Sequence, residues 1–224
     1  MHYLLSTLAF THVLAGVIAL VTGPLAMIAG KADQLHRKAG KIYFYAMTWV
    51  FVSAVALSAI KFIPFLFMLS FLSYYACFSG VRILKLKQLH KGQRAKWYDW
   101  FAGGLTGLAG LLFMIYGLVP ILQGEAVVLS WLSLFFGAFS IQAAYTGVRP
   151  YFMRPQEPRH WWFYHLNSMM ASFIAASTAF ATTIGRITEF NHWILWVGPA
   201  MVGIPLISLW QRHYKKKFGI SAVR

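Results

Sequence analysis

Seven apolar segments of membrane length follow one another along this 224-residue chain. They occupy roughly residues 3–30, 42–60, 64–83, 100–121, 126–148, 162–185 and 192–211. One helix needs about twenty apolar residues to cross the hydrocarbon core of a bilayer. The sequence therefore predicts an all-α fold, a polytopic seven-transmembrane-helix bundle, with residues 1–224 in a single integral membrane domain. The charged fraction of 11% is well below the usual soluble value of about a quarter.

The basic residues are distributed unevenly between the two sides of the predicted bundle. The net charge is +15, and eighteen of the twenty Lys and Arg residues follow spans 1, 3, 5 and 7; only Lys61 and Arg186 lie on the other side. Cytoplasmic loops retain Lys and Arg, so the N-terminus is predicted outside and the C-terminus inside. The bundle would then consist of three cytoplasm-closed hairpins plus one helix. Loops beside the anionic lipid headgroups of the bilayer explain the charge without nucleic acid as a partner.

Three of the basic turns share a local pattern that includes histidine. Each contains a glycine followed within two residues by a cation, as in AGK at 29–31, SGVR at 79–82 and TGVR at 146–149. Histidines follow these turns at positions 36, 90, 160 and 165. Such self-similarity favours a repeated helical hairpin. A repeat of this kind would bring histidines from distant parts of the chain to one membrane face.

These histidines could hold a metal ion. His36, His90 and His165 could supply three imidazoles from the starts of spans 2, 4 and 6, which is enough to bind zinc with one open position. His160 is placed as well as His165, which is preferred because it heads a stripe of small residues on its helix. The alternative is that all of them are ordinary solvated side chains. No carboxylate lies inside a predicted span, which argues against a carboxylate relay.

His12 lies about nine residues into the first span, where an imidazole needs a partner. One interpretation is a structural hydrogen bond to a Ser, Thr or Tyr side chain, and the other is a metal ligand or proton carrier. A b-type haem inside the bilayer would need a second axial ligand at similar depth. No second histidine clearly meets that demand. A haem iron near the cytoplasmic face, held by His36, His90 or His165, is the redox alternative to zinc.

Basic side chains beside the histidines offer a site for an anionic cofactor. Arg37, Lys91 and Arg159 could clamp a phosphate, a haem propionate or a lipid headgroup. Orientation signals alone would place the same residues in these turns. The sequence does not separate the two interpretations.

Two segments of the chain resemble a family of predicted bacterial multi-pass membrane proteins of unknown function. The first combines His12 with the HRxxGxxY motif at 36–43. The second is a WxxxHxxxM segment at 161–169 followed by TAF at 178–180. The resemblance implies an integral protein of the bacterial inner membrane and implies no reaction. It singles out His12, His36, Arg37, Gly40, Tyr43 and His165.

Three functions follow from these observations, and whether the chain is an enzyme stays open. The leading hypothesis is an integral inner-membrane protein with a cytoplasm-facing His/Arg site for a metal or an anionic cofactor. The second is a b-type haem electron-transfer subunit. The third is a structural or accessory subunit without a cofactor, which would bind a partner membrane subunit. Gly103 and Gly107 have the spacing of close helix packing, for which an internal contact is favoured over a homodimer face.

Overall fold

The computed structural model describes residues 2–30, 33–190 and 192–220, and this part of the chain is all-helical. Lys31 and Arg224, two of the basic residues considered above, lie outside the described residues. Seven helices are long and apolar enough to cross a membrane, which confirms the predicted class of a multi-pass membrane protein. They are α1 His2–Ile28, α2 Gln34–Ile60, α3 Pro64–Arg82, α4 Trp97–Leu122, α5 Val128–Phe152, α6 His160–Ile187 and α7 Ile194–Lys217.

Several helices extend beyond the apolar segments that predicted them. The second span was expected to begin near residue 42, but α2 begins at Gln34. The last was expected to end near 211, but α7 continues to Lys217. Hydropathy marks the part of a helix that lipid can cover, whereas Lys, Arg and Gln are good helix formers in its polar end. His36 is therefore part of a helix rather than of a turn.

Helix α3 occupies the centre of the bundle. It packs against α2, α4, α5 and α6, while α1 lies along α2 and α7 lies along α6. The helices of the third predicted hairpin, α5 and α6, have different main neighbours. Helix α5 lies along α4, and α6 lies against α3 and α7. The central position of α3 brings its C-terminal end beside the N-terminal half of α6.

Small residues allow α4 and α5 to approach closely. A Cβ atom added at Gly137 would lie 2.7 Å from the carbonyl oxygen of Gly110, and one added at Gly107 would lie 3.5 Å from the Ala144 side chain. Gly103 of α4 lies against Val148 of α5. The glycines of α4 therefore serve an internal contact, as the sequence favoured.

An ion pair joins the end of α3 to the start of α4. The guanidinium of Arg82 donates two hydrogen bonds to the Asp99 carboxylate, at 2.6 and 2.8 Å. The backbone N–H of Lys96 donates a third to the same group at 2.9 Å, so Asp99 also caps the helix. Asp99 is 2% exposed. Although it lies at a span end, as the sequence suggested, it is a buried structural residue.

One end of the bundle gathers the ends of helices from the whole chain. The Arg82–Asp99 pair places the end of α3 beside the start of α4, and Trp100 contacts Tyr151 at the end of α5. A single cavity is lined by the end of α1, the start of α2, the start of α6 and Trp210 near the end of α7. We refer to this end as the basic face, because Arg37, Lys38 and the cations after α3 lie here.

Candidate functional site

A cavity of about 1080 Å³ opens between the helix ends of the basic face. Its walls come from α1, α2, α3, α6 and α7. The apolar part of the lining includes Met27, Phe44, Leu84, Trp161, Met169 and Met170. Two histidines, His36 and His165, line the same cavity. The cavity therefore combines apolar walls with two metal-ligating side chains.

The last turn of α1 fixes the imidazole of His36. Its Nδ1 lies 2.8 Å from the carbonyl oxygen of Ala26. The last four carbonyls of a helix have no partner within that helix, and Ala26 is one of them in α1. A carbonyl oxygen only accepts, so Nδ1 donates the hydrogen of this bond. The helix end therefore fixes the ring orientation and the hydrogen on Nδ1.

The last turn of α3 does the same for His165. The Nδ1 atom of His165 lies 2.7 Å from the carbonyl oxygen of Gly80. A Cβ atom at Gly80 would lie 3.0 Å from Ser168 Cβ and 3.1 Å from Met169 Sδ. The absent side chain therefore lets α6 approach α3 closely enough for this hydrogen bond. Imidazoles that bind metals usually donate their other nitrogen in this way, which raises their basicity.

The imidazole rings of His36 and His165 lie close together in the cavity. Their ring centroids are 6.3 Å apart and their planes are inclined at 73°. An imidazole nitrogen lies roughly 1.1 Å from its centroid and binds a transition metal at about 2.0–2.1 Å, so two trans imidazoles have centroids roughly 6.3 Å apart. At a tetrahedral angle the same bonds would give roughly 5 Å. The observed separation is therefore within the reach of one metal ion held by both side chains.

Gly40 and the Tyr43–Ser172 pair follow the two histidines along α2 and α6. Gly40 follows His36 by one helical turn, and a Cβ atom there would meet nothing within 4 Å, so this position adds open space to the cavity. Tyr43 lies seven residues beyond His36, about 10 Å along the helix axis. Its hydroxyl is 2.9 Å from Ser172 Oγ, which is seven residues beyond His165. This buried pair lies deeper in the bundle than the two histidines.

Cations line the opening of the cavity. Arg37, Lys38 and Lys41 come from α2, whereas Lys85 and Lys87 follow α3, and all five side chains are exposed. None of the described residues that line the cavity is a carboxylate. The site therefore has the charge of a receptor for an anionic group.

The other predicted site residues on the basic face lie apart from this cavity. His90 belongs to a short 3-10 turn, Leu89–Lys91, and does not line the cavity. Lys91 is exposed on the same turn. The guanidinium of Arg159 lies 4.1 Å from the centre of the Phe218 ring. Of the three proposed anion-binding residues, only Arg37 lines the cavity.

His12 serves a separate contact. Its Nδ1 is 2.8 Å from Ser53 Oγ of α2, which is the structural hydrogen bond that the sequence offered as one interpretation. His12 and Ala26 both lie on α1, separated by 14 residues or about 21 Å of helix axis. His12 therefore does not share a site with His36 and His165.

A three-imidazole site is not formed by the residues that the structure describes. No group of three or more His, Cys, Asp or Glu side chains in the described ranges is placed to hold a metal ion. The expected combination fails at His90, because the chain between α3 and α4 continues as a folded loop and carries this residue away from the cavity. Two of the candidate histidines, His36 and His165, line one cavity.

Sequence reasoning did not identify the groups that orient the histidines. The oxygens of Ala26 and Gly80 belong to the main chain, and no residue type marks them. The only indirect signal was the glycine near the end of each apolar segment. Asp99 was also overlooked, although an acidic residue in the first turn of α4 and Arg82 at the end of α3 are consistent with helix-end charges.

No protein-family model, curated protein or solved structure matches this chain. The resemblance described from the HRxxGxxY and WxxxHxxxM segments stays a prediction. The structure gives these segments a common geometry, because His36, Gly40 and Tyr43 share one face of α2 and line the cavity. His165 and Met169 line it from α6.

Proposed function

We propose that this protein is a membrane electron-transfer protein that holds a b-type haem between His36 and His165. One observation carries the proposal: two imidazoles, each oriented by a helix-end carbonyl, lie 6.3 Å apart in an apolar cavity. At this separation His36 and His165 would hold one haem iron between them. The proposal unites the metal site and the anionic cofactor of the leading hypothesis in one molecule.

The number of protein ligands favours haem over zinc. A zinc site takes three or four protein ligands, whereas the porphyrin supplies four of the six iron ligands and leaves two for the protein. The described part of the chain brings two imidazoles together and no third donor. A hydrolytic zinc centre therefore has less support than a bis-imidazole haem.

The charges at the opening suit the two propionates of haem. Arg37, Lys38 and Lys41 lie on the first turns of α2, close to His36 in sequence, and line the same cavity. Haem carries its propionates on one edge, so the macrocycle would enter the apolar cavity with this edge towards the cations. Charge-assisted hydrogen bonds from Arg37 would fix its orientation.

We infer that the basic face is cytoplasmic, with the N-terminus outside and the C-terminus inside. The gathering of Arg37, Lys38, Lys85 and Lys87 at one end of the bundle supports this orientation, because cytoplasmic ends retain basic residues. The family resemblance supports the bacterial inner membrane as the location. Anionic headgroups would lie around the same face.

Haem, when bound, supplies one-electron redox chemistry. The residues of this chain would hold the axial imidazoles in one tautomer through Ala26 and Gly80, and would exclude water with Met169 and Trp161. Hydrogen bonds to the axial ligands and burial are two means by which a protein sets a haem potential.

The experiment that tests the proposal is visible spectroscopy of the protein purified without a histidine tag from cells supplied with haem. We expect a Soret band, sharp bands of low-spin iron on reduction, and about one haem per chain. His36→Gln and His165→Gln should each lose the low-spin spectrum. Glutamine keeps an N–H donor for the helix-end carbonyl, so folding should be retained.

His90→Gln is the matched control, because His90 lies on the same face but outside the cavity. It should keep the full spectrum. A wild-type protein that binds no haem would overturn the proposal, and elemental analysis of that sample would then decide between zinc and a role without a metal. An unchanged spectrum in both His36→Gln and His165→Gln would also overturn it.

A further inference from the structure

The segment between α3 and α4 is a folded platform rather than an irregular connection. We call residues 83–96 the basic loop. Three of its apolar side chains are each 3% exposed and form a small core with aromatic residues of α5 and α6: Ile83, Leu86 and Leu89 against Tyr151, Trp161 and Tyr164. The loop is thereby held against the end of the bundle.

Hydrogen bonds of one glutamine tie the two halves of the basic loop together. The side chain of Gln93 donates to the carbonyl oxygen of Lys85 at 2.8 Å and accepts from the backbone N–H of Gln88 at 3.0 Å. Gly92 has a φ of 88°, a left-handed conformation that suits glycine, and it allows the sharp turn. The backbone of this loop is therefore fixed.

The basic loop presents five exposed cations: Lys85, Lys87, Lys91, Arg94 and Lys96. The ion pair found among the described residues is that of Arg82 with Asp99, so none of the five is neutralised by a carboxylate within the described chain. Lys85 and Lys87 also line the cavity opening. The charged platform is therefore continuous with the proposed haem site.

We propose that the basic loop is the docking surface for a small acidic soluble protein that carries one electron. The inference rests on the haem site proposed above. The propionates would be met by Arg37, Lys38 and Lys41 of α2, which leaves the cations of the loop for a partner. When haem is bound, docking would let the reduced carrier pass one electron to the iron, so that the carrier is oxidised and ferric iron is reduced to ferrous iron.

The fixed backbone of the loop favours a protein partner over lipid headgroups. Attraction to an anionic membrane needs basic residues near the surface but no defined arrangement of them. Buried Ile83, Leu86 and Leu89, together with the Gln93 hydrogen bonds, instead set the positions of the cations. Complementary charges in a set arrangement guide association and fix the orientation of protein partners.

The test uses the full chain in nanodiscs of neutral phosphatidylcholine and an acidic plant-type [2Fe–2S] ferredoxin as the probe. Binding is measured by biolayer interferometry on haem-loaded and haem-free protein, and haem reduction by anaerobic stopped-flow spectroscopy. Lys91→Glu with Arg94→Glu should weaken binding and slow reduction about tenfold, because charged rims act mainly on association. Added salt should reduce the wild-type rate in the same direction.

Arg212→Glu with Lys216→Glu is the matched control, since it makes the same charge change on exposed residues at the end of α7, outside the cavity lining. It should change binding by less than about twofold. Equal effects of the two double variants would overturn the docking surface, as would equal binding of a basic soluble cytochrome. The docking surface would also be overturned if Lys91→Glu with Arg94→Glu lost binding to anionic vesicles but kept binding to ferredoxin.

The two proposals fail in distinguishable ways. Ferredoxin binding that depends on Lys91 and Arg94 in a chain without haem would retain the docking surface and overturn the electron-transfer role. A normal haem spectrum with binding that ignores these residues would retain the haem site and overturn the docking surface.

Discussion

Replacing Asp99 by alanine should lower the free energy of unfolding, because it removes one partner of the ion pair between α3 and α4. The Asp99 carboxylate accepts two hydrogen bonds from Arg82 and one from the backbone N–H of Lys96. The Asp99 side chain is 0% exposed and that of Arg82 is 12% exposed. Removing the carboxylate therefore leaves a cation with little access to solvent and an uncapped first turn of α4.

The magnitude follows from these contacts. Removing one partner of a buried ion pair costs about 3–5 kcal/mol, and losing a helix cap costs about 1 kcal/mol. Arg82 keeps some exposure and lies 4.8 Å from the centre of the Tyr98 ring, so part of its charge remains stabilised. We expect the free energy of unfolding of Asp99→Ala to fall by about 3–4 kcal/mol.

The assay is titration with sodium dodecyl sulfate in dodecylmaltoside micelles, followed by far-ultraviolet circular dichroism. Asp33→Ala is the control, because Asp33 is an exposed N-cap residue of α2 without a side-chain capping hydrogen bond. It should match the wild type. Arg82→Met with Asp99→Ala should be more stable than Asp99→Ala alone, since no unpaired charge remains. A loss below about 1 kcal/mol for Asp99→Ala would refute the reasoning.

Two further substitutions test contacts inside the bundle by the same titration. Ser53→Ala should cost about 1–3 kcal/mol, because it leaves the Nδ1 of His12 without its 2.8 Å partner, and His12→Phe in the same chain should recover part of the loss. Gly137→Ala should also cost about 1–3 kcal/mol, since its Cβ would press on the Gly110 carbonyl. Gly104→Ala is its control, because a Cβ there meets nothing within 4 Å. A free energy of unfolding equal to that of the wild type in Ser53→Ala or in Gly137→Ala would contradict the importance assigned to that contact.

The number and class of the helices could be predicted because lipid imposes a length and a composition on each span. The helix ends were harder to predict, since α2 begins at Gln34, in a polar turn that hydropathy assigns to a loop. The packing partners could not be predicted from the sequence either. No feature of the segments indicates that α6 lies against α3 rather than against α5.

The candidate site could be predicted in part. His36, His165 and Arg37 were among the proposed residues, and all three line the cavity. His90 carried an equal local signal, a histidine among basic residues after a glycine turn. It lies elsewhere because buried leucines fold the basic loop against the bundle, and that contact joins residues distant in sequence. Residue type therefore identified the candidates, and tertiary packing selected among them.

The ends of α1 and α3 connect the architecture to the proposed chemistry. A helix that ends at the membrane boundary leaves carbonyl groups without partners, and these need hydrogen bonds. His36 and His165 supply such bonds to Ala26 and Gly80. The same bonds fix the orientation of each ring and the hydrogen on its Nδ1. One contact at each helix end therefore satisfies a carbonyl of the bundle and orients one of the two imidazoles that we propose as haem ligands.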